Sequence, residues 1–108
     1  MKRGDLITIA VQGNFGKPRP AVVIQNDVIS ETANVLVCPL TGEEGPFVAL
    51  RLAIEPSAMN NLRKVSFIML SNIVAAPRDK CGPVIGSLNN AQMAEIDTRL
   101  AFILGLAG

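Results

Sequence analysis

Two stretches of this 108-residue chain carry side chains that suit a phosphate. In Lys17-Pro18-Arg19-Pro20-Ala21-Val22-Val23-Ile24, two prolines bracket one arginine and a largely β-branched apolar run follows. Each proline holds its own φ at about −65° and disfavours helix in the residue before it. Arg19 is therefore expected in extended backbone at the mouth of a buried strand, Pro20–Asn26. Thr41 closes a second apolar run, Val35–Thr41, just before Gly42-Glu43-Glu44-Gly45-Pro46. If those two strands pair antiparallel, Arg19 and Thr41 fall at the same end of the sheet. A permanently charged guanidinium fork and a hydroxyl donor then converge on one anion and suit charge building on a phosphorane-like transition state. Each residue alone also has an ordinary explanation: a solvated loop arginine, and a strand-end hydroxyl bonding a turn amide.

Other chemistries are excluded by what the chain lacks. It has no histidine, so imidazole acid–base catalysis is out. No glycine-rich phosphate loop, metalloprotease helix or nucleophile elbow can be assembled. Cys38 and Cys81 form no Cys-x-x-Cys pair, so neither a metal site nor a cofactor is expected. Ten basic and nine acidic residues give a formal charge of +1, which is no footprint of a duplex-binding protein. Any contact to nucleic acid must be local. Phe15 stands in the turn-rich segment Gln12–Pro18, placed either to stack on a base or to fold back on the domain.

The elements that must position these residues are short. Leu6–Val11, Pro20–Asn26, Val35–Thr41, Phe47–Ile54 and Val65–Val74 read as strands, with Pro39 marking an edge or a bulge in the third. Toward the carboxyl end the period changes: Met93, Ile96, Leu100, Ile103 and Leu104 form a helical stripe. Asn89 and Gln92 can build a capping box and Gly105 a C-terminal cap. The reading is one α+β domain over residues 1–108, five or six strands in a small barrel or rolled sheet followed by one helix. With 49% apolar but only 4% aromatic residues, the core must be aliphatic. A domain of this size cannot hide so much apolar surface alone, so a two-fold homodimer is expected. The apolar stretch after Asp5 is too short for a signal peptide and no run reaches a membrane span, so the expectation is a cytoplasmic protein with reduced thiols and no membrane contact.

Arg3-Gly4-Asp5, the Pro18–Asp27 block, Val37-Cys38-Pro39-Leu40-Thr41, Leu62-Arg63-Lys64-Val65-Ser66 and Ile85-Gly86-Ser87-Leu88 occur in the order seen in the MazF/PemK/Kid toxins, and the chain resembles that family over nearly its whole length. The resemblance implies an SH3-like β-barrel with a C-terminal helix, dimerisation, and metal-independent endoribonuclease activity on single-stranded RNA with the neighbouring 2′-hydroxyl as nucleophile. It places Arg19 and Thr41 on the family's catalytic arginine and threonine. Asn14, Phe15, Lys17, Gln25, Asn26 and Ser66 are the candidate RNA contacts. The implied partners are single-stranded RNA, an acidic antitoxin and a DNA contact made through that antitoxin. Asp5, Asp27 and Glu43 are the carboxylates available as a general base. Some relatives carry Arg-x-Asp after the strand's last β-branched residue, where this chain has Val74-Ala75-Ala76, and the loop histidine of some relatives is also absent. The rival readings are a non-enzymatic protein-binding toxin like the gyrase poisons, disfavoured because those end in a tryptophan-bearing helix and this chain has no tryptophan, and a catalytically weakened homologue.

Overall fold

Strand β3 (Asn34–Thr41) carries three neighbours. Along one edge it pairs with β2 (Pro18–Val23). Along the other it pairs first with β6 (Val74–Pro77), through Val37↔Val74, and then with β5 (Ser66–Met69), through Leu40↔Ile68 and Thr41↔Phe67. The sheet continues outward from β2 to β1 (Asp5–Ala10) and β7 (Cys81–Ser87), and from β5 to β4 (Arg51–Ile54), every pair antiparallel. Helix α1 (Asn90–Ile103) follows. The computed structural model describes residues 1–10 and 17–106.

The expected α+β class holds, and the sheet differs from the sequence reading in traceable ways. β2 ends at Val23, short of the expected Asn26, and begins two residues before the expected Pro20, so that Pro18 and Pro20 both lie inside it, opposite Ala10 and Thr8 of β1. That part of β2 has no ladder to β3, so a missing N–H on that edge costs nothing. Arg19 thus sits within a strand, opposite Ile9. Residues Val48–Leu50 form a 3₁₀ turn, which shortens the expected Phe47–Ile54 strand to its second half. The expected Val65–Val74 strand is two strands, parted where the Asn72 amide donates back to the Met69 carbonyl at 3.1 Å. β7 was hidden from periodicity by Gly82, Pro83 and Gly86. The outer strands curl toward one another, and β6 reaches β7 through the 3₁₀ turn Arg78–Lys80. No ladder joins β6 to β7 among the described residues, so the expected barrel is a curled but open sheet.

Alternation along the strands builds two cores. Ile7, Ile9, Ala21, Val23, Val35, Val37 and Ala76 fill the inside of the curl. Leu6, Val22, Cys38, Leu40 and Ile68 point the other way and are covered by Ile96 and Leu100 of α1 and by Ile54 and Leu88. Burial in this second core pushes the Cys38 thiol up to about 11, which keeps it protonated and inert at neutral pH. Both cysteines are free. The capping box is present: the Gln92 amide donates to Asn89 Oδ1 at 2.8 Å and the Asn89 amide to Gln92 Oε1 at 2.9 Å. Gly105 takes the left-handed conformation past the helix end. Leu104, expected on the buried stripe, is instead 54% exposed because the helix ends at Ile103. No described helix is long and apolar enough to cross a membrane.

The hairpin β4–β5 is tied to β7 by its own approach loop. Asn60 is fully buried, accepts from the Ser57 and Leu62 amides (both 2.9 Å) and donates to the Glu55 carbonyl at 2.8 Å. The loop so fixed presents the Met59 carbonyl to the Ser87 amide at 3.0 Å, while Asn61 Nδ2 donates to the Ile85 carbonyl at 2.8 Å. Backbone meets backbone here: a Cβ at Gly86 would lie 2.5 Å from the Asn60 carbonyl oxygen. Gly86→Ala is therefore expected to cost roughly 1–3 kcal/mol or more, since only main chain stands in its way. Urea unfolding of the variant checks this, and a midpoint equal to that of the parent chain would contradict the packing described.

Candidate functional site

The β2–β3 register runs through Val23↔Val37, Val22↔Cys38 and Ala21↔Pro39. Continued by two residues, it sets Arg19 opposite Thr41, on the face that is the inside of the curl. The apolar lining of that face ends at these two polar residues. The ladder itself ends at Ala21↔Pro39, and beyond it both residues line the same two hollows. The larger, about 220 Å³, is walled by Arg19, Pro39, Leu40, Thr41, Met69, Asn72 and Val74. The smaller, about 100 Å³, is walled by Arg19, Pro20, Leu40, Thr41, Gly42, Lys64 and Ser66.

Pro39 makes the larger hollow. The prolines of β2 cannot donate to β1, so the hydrogen-bonded pairs there are those of Arg19 and Ala21. By alternation the pair Ala21↔Pro39 is the wide one, and the Pro39 nitrogen faces away from β2. It falls midway between the pairs Val37↔Val74 and Thr41↔Phe67, where β3 would otherwise offer a donor. The expected edge or bulge is thus a gap in one ladder of a central strand, and β5 and β6 part around it.

Thr41 is half-buried, and its Oγ1 accepts from the Glu43 amide at 3.3 Å. The turn-bonding explanation of this hydroxyl is therefore real, and it leaves the hydroxyl proton free to point into the hollow. Arg51 steadies the same turn by donating to the Glu43 carbonyl at 2.7 Å. Of the three carboxylates named from the sequence, Asp5 accepts from the Lys2 amide and Asp27 from the Arg3 amide, both at 2.8 Å, at the opposite end of β1 and β2. Only Glu43 stands at the Thr41 end.

The candidate RNA contacts divide in the same way. Ser66 lines the smaller hollow with Arg19 and Thr41, and Lys17 is exposed immediately before β2. Gln25 and Asn26 lie past the far end of β2, against a separate hollow of about 50 Å³. Gln25 is buried and spent on the fold: its amide donates to the Ile29 carbonyl and Thr32 hydroxyl and accepts from the Leu36 amide. Asn26 Oδ1 accepts from the Val28 amide in a local turn. Asn14 and Phe15 lie outside the described residues. Lys64, Met69 and Asn72 line the site without having been singled out by sequence; only the strand register brings them there. Among the described residues, no three His, Cys, Asp or Glu side chains gather closely enough to hold a metal ion.

Residues 2–104 match the family described as PemK-like, MazF-like toxin of type II toxin–antitoxin system. The chain belongs to that family. A probable endoribonuclease MazF of Mycolicibacterium smegmatis is 38% identical over 109 residues, spanning all of both chains. An endoribonuclease solved in complex with its cognate antitoxin, from a mycobacterial species, superposes with a TM-score of 0.82 at 26% identity over 100% of this chain and 98% of that one. The Mycobacterium tuberculosis toxin MazF-mt6 shares the fold, with a TM-score of 0.81 at 21% identity over 96% of this chain and 99% of that one.

Within this MazF-like frame, Val74 and Ala76 occupy different places. Val74 is half-buried on the wall of the larger hollow, whereas Ala76 is buried inside the curl opposite Val35. Placing charge at the two positions is therefore not one experiment. Val74→Arg is expected to fold with near-parental stability, its guanidinium reaching the open hollow. Ala76→Asp is expected to lose several kcal/mol, because its carboxylate would be stranded without a partner. Chemical denaturation of the two single variants decides this; equal stabilities would show that position 76 is wetter than its burial implies.

Proposed function

We propose that this MazF-like endoribonuclease toxin cuts single-stranded RNA at the Arg19–Thr41 hollow, by attack of the neighbouring 2′-hydroxyl on the phosphate. The observation that carries the reading is that both residues line the same two hollows at the rim of the curl, just past the last β2–β3 pair, Ala21↔Pro39. As the 2′-oxygen bonds to phosphorus, charge grows on the non-bridging oxygens. The Arg19 fork binds them, and the Thr41 hydroxyl, oriented by the Glu43 amide, donates to one. The phosphorus–O5′ bond then breaks and the departing oxygen takes a proton from solvent, leaving a 2′,3′-cyclic phosphate and a 5′-hydroxyl. Of the three carboxylates considered, Glu43 is nearest to Thr41 along the chain, and we assign it the 2′-hydroxyl proton although it lines neither hollow. No step calls on a metal ion.

Arg19→Ala is expected to lower the cleavage rate by about 10²–10³ without unfolding the chain, since losing one preorganised donor to a transition-state oxyanion costs about that much. Arg19→Lys should recover only part of it, because an ammonium lacks the planar fork. Cleavage of a long unstructured RNA in EDTA, with end mapping, measures both effects. Full activity of the alanine variant would remove Arg19 from the chemistry.

An antitoxin is the protein partner, and an acidic, partly disordered segment of it would dock over Arg19, where a phosphate site also accepts carboxylates. Large apolar side chains left exposed, among them Phe47, Val48, Phe102 and Leu106, support a homodimer as the acting form. The expected outcome is that an acidic antitoxin peptide blocks RNA cutting and that Arg19→Ala weakens its binding. Inhibition by a peptide whose affinity is indifferent to Arg19 would place the antitoxin elsewhere.

A further inference from the structure

We propose that Lys64 is a second phosphate-binding residue of this site, holding the phosphate next to the one that Arg19 and Thr41 grip. The inference rests on the Arg19–Thr41 reading and extends it along the RNA strand. The smaller hollow is walled by two cationic side chains, Arg19 and Lys64, by the Thr41 hydroxyl and by Ser66, whose own hydroxyl donates to the Lys64 carbonyl at 3.2 Å, with no carboxylate in its lining. Such a set is rich in donors and poor in charged acceptors, which is the composition of an anion site. Its volume of about 100 Å³ admits a phosphate and little more.

The ladder brings Lys64 there. Thr41↔Phe67 pairs β3 with β5, so the residues leading into β5 run alongside Thr41 and Gly42. A Cβ at Gly42 would stand 3.2 Å from Lys64 Nζ, so the ammonium lies over a residue with no side chain, directly beside Thr41. The ion pairs among the described residues are Arg3–Asp97 and Arg99–Glu95, and the Lys64 ammonium has no hydrogen-bond partner among them. A compact point charge on a flexible stem suits a flanking phosphate that must be held but not distorted, whereas the planar fork of Arg19 suits the reacting one.

The test uses an RNA oligonucleotide carrying a single 2′-deoxy substitution at the cut, which removes the nucleophile and leaves binding measurable. Lys64→Gln is expected to weaken binding about tenfold at low salt and to flatten the slope of log affinity against log salt by about 0.7, the value for one contact to a single strand. Lys80→Gln is the control, since Lys80 lies in the 3₁₀ turn after β6, at the opposite end of β3 from Thr41, and should change neither quantity. On cleavable RNA, Lys64→Gln should raise KM and leave kcat nearly unchanged, as expected for a contact made equally in ground and transition states. A neutral methylphosphonate at one of the two linkages flanking the cut should weaken the parent chain and weaken Lys64→Gln no further. Unchanged affinity and slope in Lys64→Gln, with cleavage still lost in Arg19→Ala, would overturn the role of Lys64 and leave the site standing. Full cleavage by Arg19→Ala would overturn the site itself, and the Lys64 proposal with it.

Discussion

Between Val37, paired with Val74, and Thr41, paired with Phe67, β3 passes one residue that has no N–H to give. A central strand normally has both edges satisfied, because an unpaired buried amide costs about as much as a lost hydrogen bond. Pro39 has no amide to satisfy, so the chain can leave that edge open without penalty. β6 and β5 take up the two ends of β3 and diverge between them, and the larger hollow is the space so created. Proline here acts by subtraction: it makes an interior strand behave for one residue like an edge. The prolines of β2 do the complementary work beside it, releasing that strand from β3 over the residues that carry Arg19.

The site is consequently the rim of a core and not a cleft cut into a surface. The inward face of the curl is aliphatic through Val35, Val37, Ala21 and Val23, and it turns polar at its last positions, Arg19 and Thr41. Side chains rooted in such a face are held by the strands behind them. A formal charge of +1 gives the whole molecule little long-range pull on RNA. Two of the ten basic residues, Arg19 and Lys64, share a wall of the smaller hollow.

The type and order of most elements were legible because their patterns are local. The helix declared itself through its stripe and both caps, and the third strand through the apolar run Val35–Leu40 ended by Thr41. What was illegible depended on distant partners. The break between β5 and β6 is set by a turn at Leu70–Ser71 that no proline or glycine announces. β7 lacks a strand's alternation because glycines at 82 and 86 are demanded by Thr8 and by the Asn60 backbone, both far away in sequence. At the candidate site, Arg19 and Thr41 could be brought to the same end of the sheet by reasoning about strand ends, since one antiparallel register decides it. Gln25, by contrast, sits in a stretch that reads as a polar exit, and nothing local reveals that its amide is consumed by Ile29, Thr32 and Leu36.

The bonds that Met59 and Asn61 make to β7 have a bearing on time as well as on stability. Arg19, Thr41, Lys64 and Val74 all precede β7 and α1 in the chain, so a growing polypeptide holds every one of these residues before it holds the segments that bury Leu6, Val22 and Ile68. Contacts that join such widely separated parts form late, because the entropy of closing the intervening loops is spent before they repay it. Domains also fold as units when their last elements arrive. On the ribosome, then, the side chains that meet at the rim stay unassembled until β7 has met Met59 and Asn61 and α1 has docked. The order of the chain thus puts the completion of the rim after the arrival of its carboxyl-terminal segments.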